Sequence, residues 1–252
     1  LTRSDGGGDE HAADRLPWVV GVSGASGTPY AASVLRGLLA AGEAVDLVVS
    51  RAARLTLLDE TGVAWRDGDW LTGLREWLGP GGLPEPGPGV GAGAGAGADS
   101  GRPGPAGAAL AGRLDELVRH YSPGDLAAPP SSGSYPTRGM IVVPASTANL
   151  AGIALGLSKD LLQRAADVTL KERRRLVVVP REMPFTRSTL VHMLTLHDAG
   201  AVVAAASPGF YAGAQSASEL ADFVAGRVLD AAGVPHHLYR RWTGELGGAR
   251  RP

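Results

Sequence analysis

The chain has 252 residues, 44% of them hydrophobic, enough to bury one substantial core. A formal net charge of -1 and a pI near 6.7 leave no basic face for nucleic acid or an anionic membrane, and no apolar run approaches the roughly 18 residues of a membrane span. With no cysteine, a disulfide framework, a thiolate nucleophile and Cys-based metal sites are excluded, and a cytoplasmic protein is expected.

Residues 1–16 are acidic and Gly-rich and are expected to form a disordered leader. Trp18 to Ser23 is a short apolar run that breaks into glycines, as a buried parallel strand does. Apolar residues at helical spacing over Pro29 to Ala41, with Pro in the first turn, predict a helix. A second strand over Ala44 to Val49 and a second helix over Arg51 to Glu60 repeat the pattern, and Trp65 to Leu78 holds room for another short helix. From about Gly79 to Gly107 the Gly and Pro content is too high to repay ordering, so this stretch is expected to be a disordered insert.

A short helix is expected from about Ala109 to His120. The remaining elements are a strand at Met140 to Val143, a helical pair over Thr147 to Glu172, a strand at Leu176 to Val179, a helix near Thr186 to Ala199, a strand at Ala201 to Ala205 and a helix from Ser216 to Ala231. Strands alternating with helices specify an α/β domain, a doubly wound open parallel sheet of five or six strands. It spans residues 17–243, interrupted by the insert and followed by a flexible tail at 244–252.

In such sheets ligands bind beyond the carboxyl ends of the strands. The loop Gly21 to Gly27 (GVSGASG) stands there and suits the phosphate of a mononucleotide: its glycines allow close backbone approach, and Ser23 and Ser26 add hydroxyls. It is neither the dinucleotide G-x-G-x-x-G nor the P-loop. Ser50-Arg51, Ser146-Thr147, Arg181-Glu182 and Tyr211 fall at the same strand ends. Lys171 stands out because only positions 159 and 171 carry lysine, and Arg164 lies seven residues before it, on nearly the same helical face. Glu60 ends the helix that begins beyond the second strand. No metal is assigned, because the histidines lack ligand spacing, and His236-His237 is expected at the surface.

Five motifs in register, GVSGASG at 21–27, VSRAAR at 49–54, APPSSGS at 128–134, RAADVTLKERR at 164–174 and VPREMP at 179–184, together resemble the flavin prenyltransferase (UbiX) family. Pro208 to Tyr211 and Arg240-Arg241-Trp242 agree. The resemblance implies a flavodoxin-like, Rossmann-like three-layer fold and an enzyme that attaches a dimethylallyl group from dimethylallyl phosphate to N5 and C6 of reduced FMN. The product would serve UbiD-type decarboxylases.

By the same resemblance, Gly24, Ala25, Ser26, Ser50, Ser146, Thr147, Ala148, Asn149 and Arg164 would hold FMN. Ser132, Lys171, Arg181, Glu182, Tyr211, Arg227 and Trp242 would surround the allyl phosphate, and Ser26, Glu60, Lys171 and Glu182 would be catalytic, Ser26 and Glu60 near the flavin. The family's homododecamer, with sites at subunit contacts, is the implied assembly. Leu126 stands where some members carry tryptophan, and Asn149 where threonine is common. Two alternatives stay open. PASTAN at 144–149 partly echoes FMN-dependent cysteine decarboxylases of the phosphopantothenoylcysteine and lantibiotic type, and a non-catalytic flavin-binding partner would need the same loop.

Overall fold

The computed structural model describes residues 16–79 and 114–242; the expected leader, nearly all of the insert and the tail lie outside these residues. Six strands, β1 (Trp18–Val22), β2 (Val45–Val49), β3 (Val118–Tyr121), β4 (Gly139–Ala145), β5 (Arg175–Pro180) and β6 (Val202–Val203), form one sheet in the order β3-β2-β1-β4-β5-β6. Every neighbouring pair is parallel. The helices are α1 (Thr28–Ala40), α2 (Arg51–Thr61), α3 (Trp70–Leu78), α4 (Leu114–Leu117), α5 (Thr147–Ala154), α6 (Leu161–Lys171), α7 (Arg187–Asp198) and α8 (Ala217–Ala232).

The doubly wound architecture follows from what each strand residue faces. Val20, Leu47, Ile141 and Val177 point into a core shared with α1, α3 and α8, while Val19, Val48, Met140, Val142 and Val178 point into a second core with α5 and α6. Both faces are covered, which is why the strands are continuously apolar instead of alternating. Leu35, Leu38 and Leu39 are buried where α1 meets α8. On the other face Gly21 makes room for α6: a Cβ there would stand 2.8 Å from Leu162 Cγ. This glycine of the phosphate-loop motif therefore serves strand–helix packing. Strand order turns back between β1 and β4, and the crevice for a ligand opens beyond their carboxyl ends.

Two expectations change. The segment read as a helix from Ala109 to His120 is helical only at Leu114–Leu117 among its described residues, and Val118–Tyr121 is the edge strand β3, paired in register with β2. Leu110, Leu114 and Leu117 give a helical spacing that continues into a stretch where β-pairing wins. The last strand is two residues long, because only Val202 and Val203 pair with β5. No described helix is long and apolar enough to cross a membrane.

The β2–β3 edge buries two titratable groups on opposite faces. Asp46 is fully buried, and neither carboxylate oxygen reaches hydrogen-bond geometry with a described partner, although the Tyr135 hydroxyl and the Arg119 guanidinium face it. Desolvation outweighs those two groups and pushes the carboxyl up to about 6. His120 sits on the other face, stacked on Trp70 at 5.9 Å, and burial pulls its imidazole down to about 4 against the Asp67 carboxylate. A raised carboxyl costs nothing while protonated in both states, and its penalty develops as pH rises from the unfolded value through the folded one. His120 has the opposite sign and contributes a loss as pH falls. Asp46→Asn should therefore gain on the wild type by up to about 3 kcal/mol as pH rises from 4 to 7. Urea titrations across that range read this directly, and a difference independent of pH contradicts it.

Candidate active site

The crevice is assembled from the loops after β1, β4 and β5 and the N-termini of α2 and α5. Its keystone is Ser23, buried directly after β1. Its hydroxyl donates to the Pro144 carbonyl at 2.8 Å and accepts from the Ser146 amide at 2.7 Å, joining the two loops where the strand order turns back. Expected as a phosphate donor, Ser23 is instead committed to the scaffold. Gly24 is required by proximity: a Cβ there would fall 2.3 Å from that of Ala52 in the first turn of α2. Ala25 is buried within the turn, and Ser26 is exposed at its tip.

Glu60 occupies the N-terminus of α1. Its carboxylate accepts from the Gly27 amide at 2.9 Å, the Thr28 amide at 2.8 Å and the Thr28 hydroxyl at 2.6 Å. Burial alone would raise its pKa, but the hydrogen bonds from Thr28, Ser26 and the backbone amides prevail and hold it below the usual glutamate range. A carboxylate at a helix N-terminus is also favoured by the macrodipole. The amides expected to cradle a phosphate at Gly27 and Thr28 are thus already satisfied, by a side chain 33 residues away.

Anion-binding capacity at this edge passes to the neighbouring helices. Ser50 caps α2 by accepting from the Ala53 amide, and Ser146 caps α5 by accepting from the Asn149 amide. The amides of Arg51, Ala52, Thr147 and Ala148 have no intrahelical partner, as first-turn amides never do. Asn149 is buried in the same turn with its side-chain oxygen unpaired, an acceptor waiting for a donor. Four amide donors, an orphaned acceptor and the glycine-lined loop suit a phosphorylated ligand with polar groups along its length.

Arg181 follows β5 and lines a cavity of about 660 Å³ with Ser26, Gly27, Glu60, Tyr30 and Trp77. Three of the sequence-derived residues, Ser26, Glu60 and Arg181, therefore meet. Glu182 is exposed beside them and accepts from the Met183 amide at 3.0 Å. Tyr30 and Trp77 were not anticipated; one is in the first turn of α1 and the other ends α3, and neither position differs in pattern from a packing aromatic.

The other candidates form two separate groups. Arg164 donates through Nε to the Ser131 carbonyl at 3.1 Å and pairs with Asp167 at 2.8 Å. Lys171 lies about 10 Å farther along α6, paired with Glu172 beside Gly133. Ser132 shares a hydrogen bond with Ser134 in the same loop. The expected pair of cations on one helical face is therefore committed to different partners, and Lys171 stands at the amino edge of the sheet instead of the carboxyl edge.

The third group surrounds α8. Arg227 pairs with Asp230 at 2.8 Å, and Tyr211 meets Phe223 and Trp242 edge-on at 5.4 and 6.1 Å. His236, expected at the surface, is buried and bonded to Asp230 at 3.0 Å. Leu126 is half exposed. Among the described residues no cluster of three or more His, Cys, Asp or Glu could hold a metal.

The Flavoprotein family model matches residues 8–229, which sets the class. The chain is 66% identical over 235 residues to Flavin prenyltransferase UbiX of Streptomyces coelicolor, covering 93% of this chain and 99% of that one. It is 41% identical over 224 residues to the Deinococcus radiodurans protein of the same name, covering 89% and 92%. Among solved structures, AnUbiX (PadA1) in complex with FMN and dimethylallyl pyrophosphate matches with a TM-score of 0.69 at 34% identity, over 92% of this chain and 100% of that one. A dodecameric FMN-dependent UbiX-like decarboxylase from Escherichia coli O157:H7 matches with a TM-score of 0.67 at 33% identity, over 91% and 100%. The chain belongs to the flavin prenyltransferase (UbiX) family.

The scaffold role of Ser23 is measurable. Ser23→Ala leaves the Ser146 amide without its acceptor, and an unpaired buried polar group costs about 1–3 kcal/mol. Unfolding free energy from urea titration should fall by that amount, seen as a lower midpoint at constant slope, and an unchanged midpoint contradicts the assignment.

Proposed function

We propose that the protein transfers a dimethylallyl group from dimethylallyl phosphate to reduced FMN, in the cytoplasm, and that the prenylated flavin goes to a UbiD-type decarboxylase. The observation that carries this reading is the set of first-turn amides of α2 and α5 without intrahelical partners at the carboxyl edge where the strand order turns back, with Ser26, Glu60 and Arg181 lining one cavity along α1. Family membership supports the flavin, and the AnUbiX complex with FMN and dimethylallyl pyrophosphate supports the pairing of flavin with an allylic phosphate.

FMN enters as the prenyl acceptor. Gly24, Ala25, Ser26, Ser50, Ser146 to Asn149 and Arg164 would hold it, the small residues and first-turn amides of α2 and α5 supplying close approach and donors and Arg164 a cation. In the first step the carbon–oxygen bond of the allyl phosphate would break with its electron pair going to the departing phosphate, the allyl carbon would bond to flavin N5, and the proton lost from N5 would pass to that phosphate. Lys171, Arg181 and Arg227 oppose the charge that develops on the leaving group, an interaction that strengthens toward the transition state. The faces of Tyr211 and Trp242 stabilise positive charge on the allyl fragment. In the second step the allyl chain closes onto C6; the alkene gains a proton and C6 loses one, with Glu182 moving both. Ser26 and Glu60 hold the flavin edge, Glu60 remaining ionised through its bonds to Gly27 and Thr28. Ser132 contributes a hydroxyl to the donor phosphate.

The dispersed candidates require more than one copy of the chain, since Lys171 and Arg181 lie at opposite edges of the sheet. An exposed apolar row on α7, Leu190, Val191 and Leu194, next to Met183 and Phe185, supports self-association, as does the dodecameric relative from Escherichia coli. We take the assembly to be a homo-oligomer, a dodecamer by likeness.

Purified protein given FMN, a reductant and dimethylallyl phosphate should yield flavin heavier by one prenyl unit in mass spectrometry. Glu182→Gln should keep FMN affinity and slow product formation. Unchanged flavin with FMN bound overturns the reading, and wild-type turnover by Glu182→Gln removes Glu182 from the proton transfers.

A further inference from the structure

Residues 233–242 fold back along α8, and one carboxylate ties them down. Asp230, in the last turn of α8, accepts through Oδ2 from Arg227 Nη1 at 2.8 Å and from the Tyr239 hydroxyl at 2.7 Å. Its Oδ1 accepts from Arg241 Nη2 at 2.8 Å and lies 3.0 Å from His236 Nε2. Arg241 also reaches Oδ2 through Nη1 at 3.3 Å, so it clasps both oxygens. Four side chains from a helix and the arm behind it thus meet on a single acidic group. Burial would raise the Asp230 pKa, but the bonds from Arg241, Tyr239 and His236 outweigh it and hold the carboxyl well below the ordinary aspartate range.

The backbone is shaped for this contact. Gly226, one residue before Arg227, opens a groove in α8: a Cβ there would stand 2.5 Å from Tyr239 Cδ1 and 2.7 Å from His236 Cε1. Tyr239 lies in that groove with Phe223 at 4.9 Å, and Phe223 in turn meets Tyr211, which meets Trp242. The Arg241 guanidinium stands 5.6 Å above the Tyr239 ring. The hydrogen-bond hub and the aromatic chain therefore fix the same segment from two sides.

The hub also leaves a cation in excess. Two guanidiniums share one carboxylate, and both remain 57% exposed. Among the described residues Arg227 uses only Nη1, toward Asp230 and Tyr239, so Nε and Nη2 remain as donors for an anion. A guanidinium held on one edge by a carboxylate presents its other edge in a fixed direction, which is how an anion site is made specific instead of merely basic.

We propose that Asp230 is the positioning residue of the donor pocket, a carboxylate that aims Arg227 at the phosphate of the allyl donor and docks the arm carrying Trp242 against Tyr211. It rests on the reading above that Arg227 and Trp242 meet that donor. Asp230 itself touches neither substrate; its effect passes through the groups it holds.

The experiment compares wild type, Asp230→Asn, Asp230→Glu and Tyr239→Phe in prenyl transfer with dimethylallyl monophosphate, alongside FMN affinity by flavin fluorescence and hydrogen exchange of peptides covering 233–242. Asp230→Asn should raise KM for the allyl phosphate tenfold or more, leave the FMN Kd within about twofold, and speed exchange in the arm, because charge-assisted bonds are lost. Asp230→Glu should recover most of that affinity. Tyr239→Phe, which removes one hydroxyl and preserves packing, should give a smaller rise in KM. An active wild type whose Asp230→Asn variant keeps its KM overturns the positioning role, as does an FMN Kd that rises in step with KM. A wild type that binds FMN yet forms no prenylated flavin overturns the functional reading itself, and with it the donor role of Asp230.

Discussion

Six strands running in one direction put every strand-to-helix loop at one edge of the sheet and every helix-to-strand loop at the other. Lys171 ends the helix that precedes β5, and Arg181 follows that strand directly. Six residues of extended chain, at about 3.3 Å each, place roughly 20 Å between the two edges. No rotamer of lysine or arginine closes such a gap within one subunit. The polarity of the sheet therefore decides which charged groups of a chain can act together: Arg181 with Ser26 and Glu60 at the carboxyl edge, Lys171 with Ser132 near the amino edge. If all of them serve one allyl phosphate, a second copy must bring its amino edge to the first copy's carboxyl edge.

The carboxyl edge is prepared in advance for a ligand. Ser23 spends its donor and its acceptor on joining the loops after β1 and β4, and Glu60 satisfies the first amides of α1. Both commitments fix the loop geometry before any ligand arrives, so less ordering remains to be done on binding. Glu60 occupies the first amides of α1, while those of α2 and α5 stay free of intrahelical partners. A similar economy operates at α8, where Asp230 orders an arginine and an arm together.

Much of this was legible in the sequence. The apolar runs after Pro17 and before Ser50, Pro144 and Arg181 mark buried parallel strands, and the small or charged residues that follow them fall at the expected edge. Ser26, Glu60 and Arg181, singled out in the sequence, line one cavity. What was not legible depends on contacts between distant residues. Gly21 and Gly24 resemble a phosphate loop, yet their missing side chains make room for Leu162 and Ala52. His236 looks like a surface histidine until Asp230 is seen beside it, and β3 follows a leucine spacing that mimics a helix. Strand pairing, helix approach and the direction of a side chain are tertiary facts, and local pattern carries little of them.

The composite site is the central claim, and mixing two defective subunits tests it most directly. Lys171→Ala and Arg181→Ala proteins, each inactive as a homomer, would be dissociated and reassembled together, and prenyl transfer would be measured in the mixed assembly. If Lys171 and Arg181 of one site come from different subunits, equal mixing should restore activity to about a quarter of wild type, since that fraction of sites would hold both intact residues. A mixed assembly no more active than either parent would contradict it.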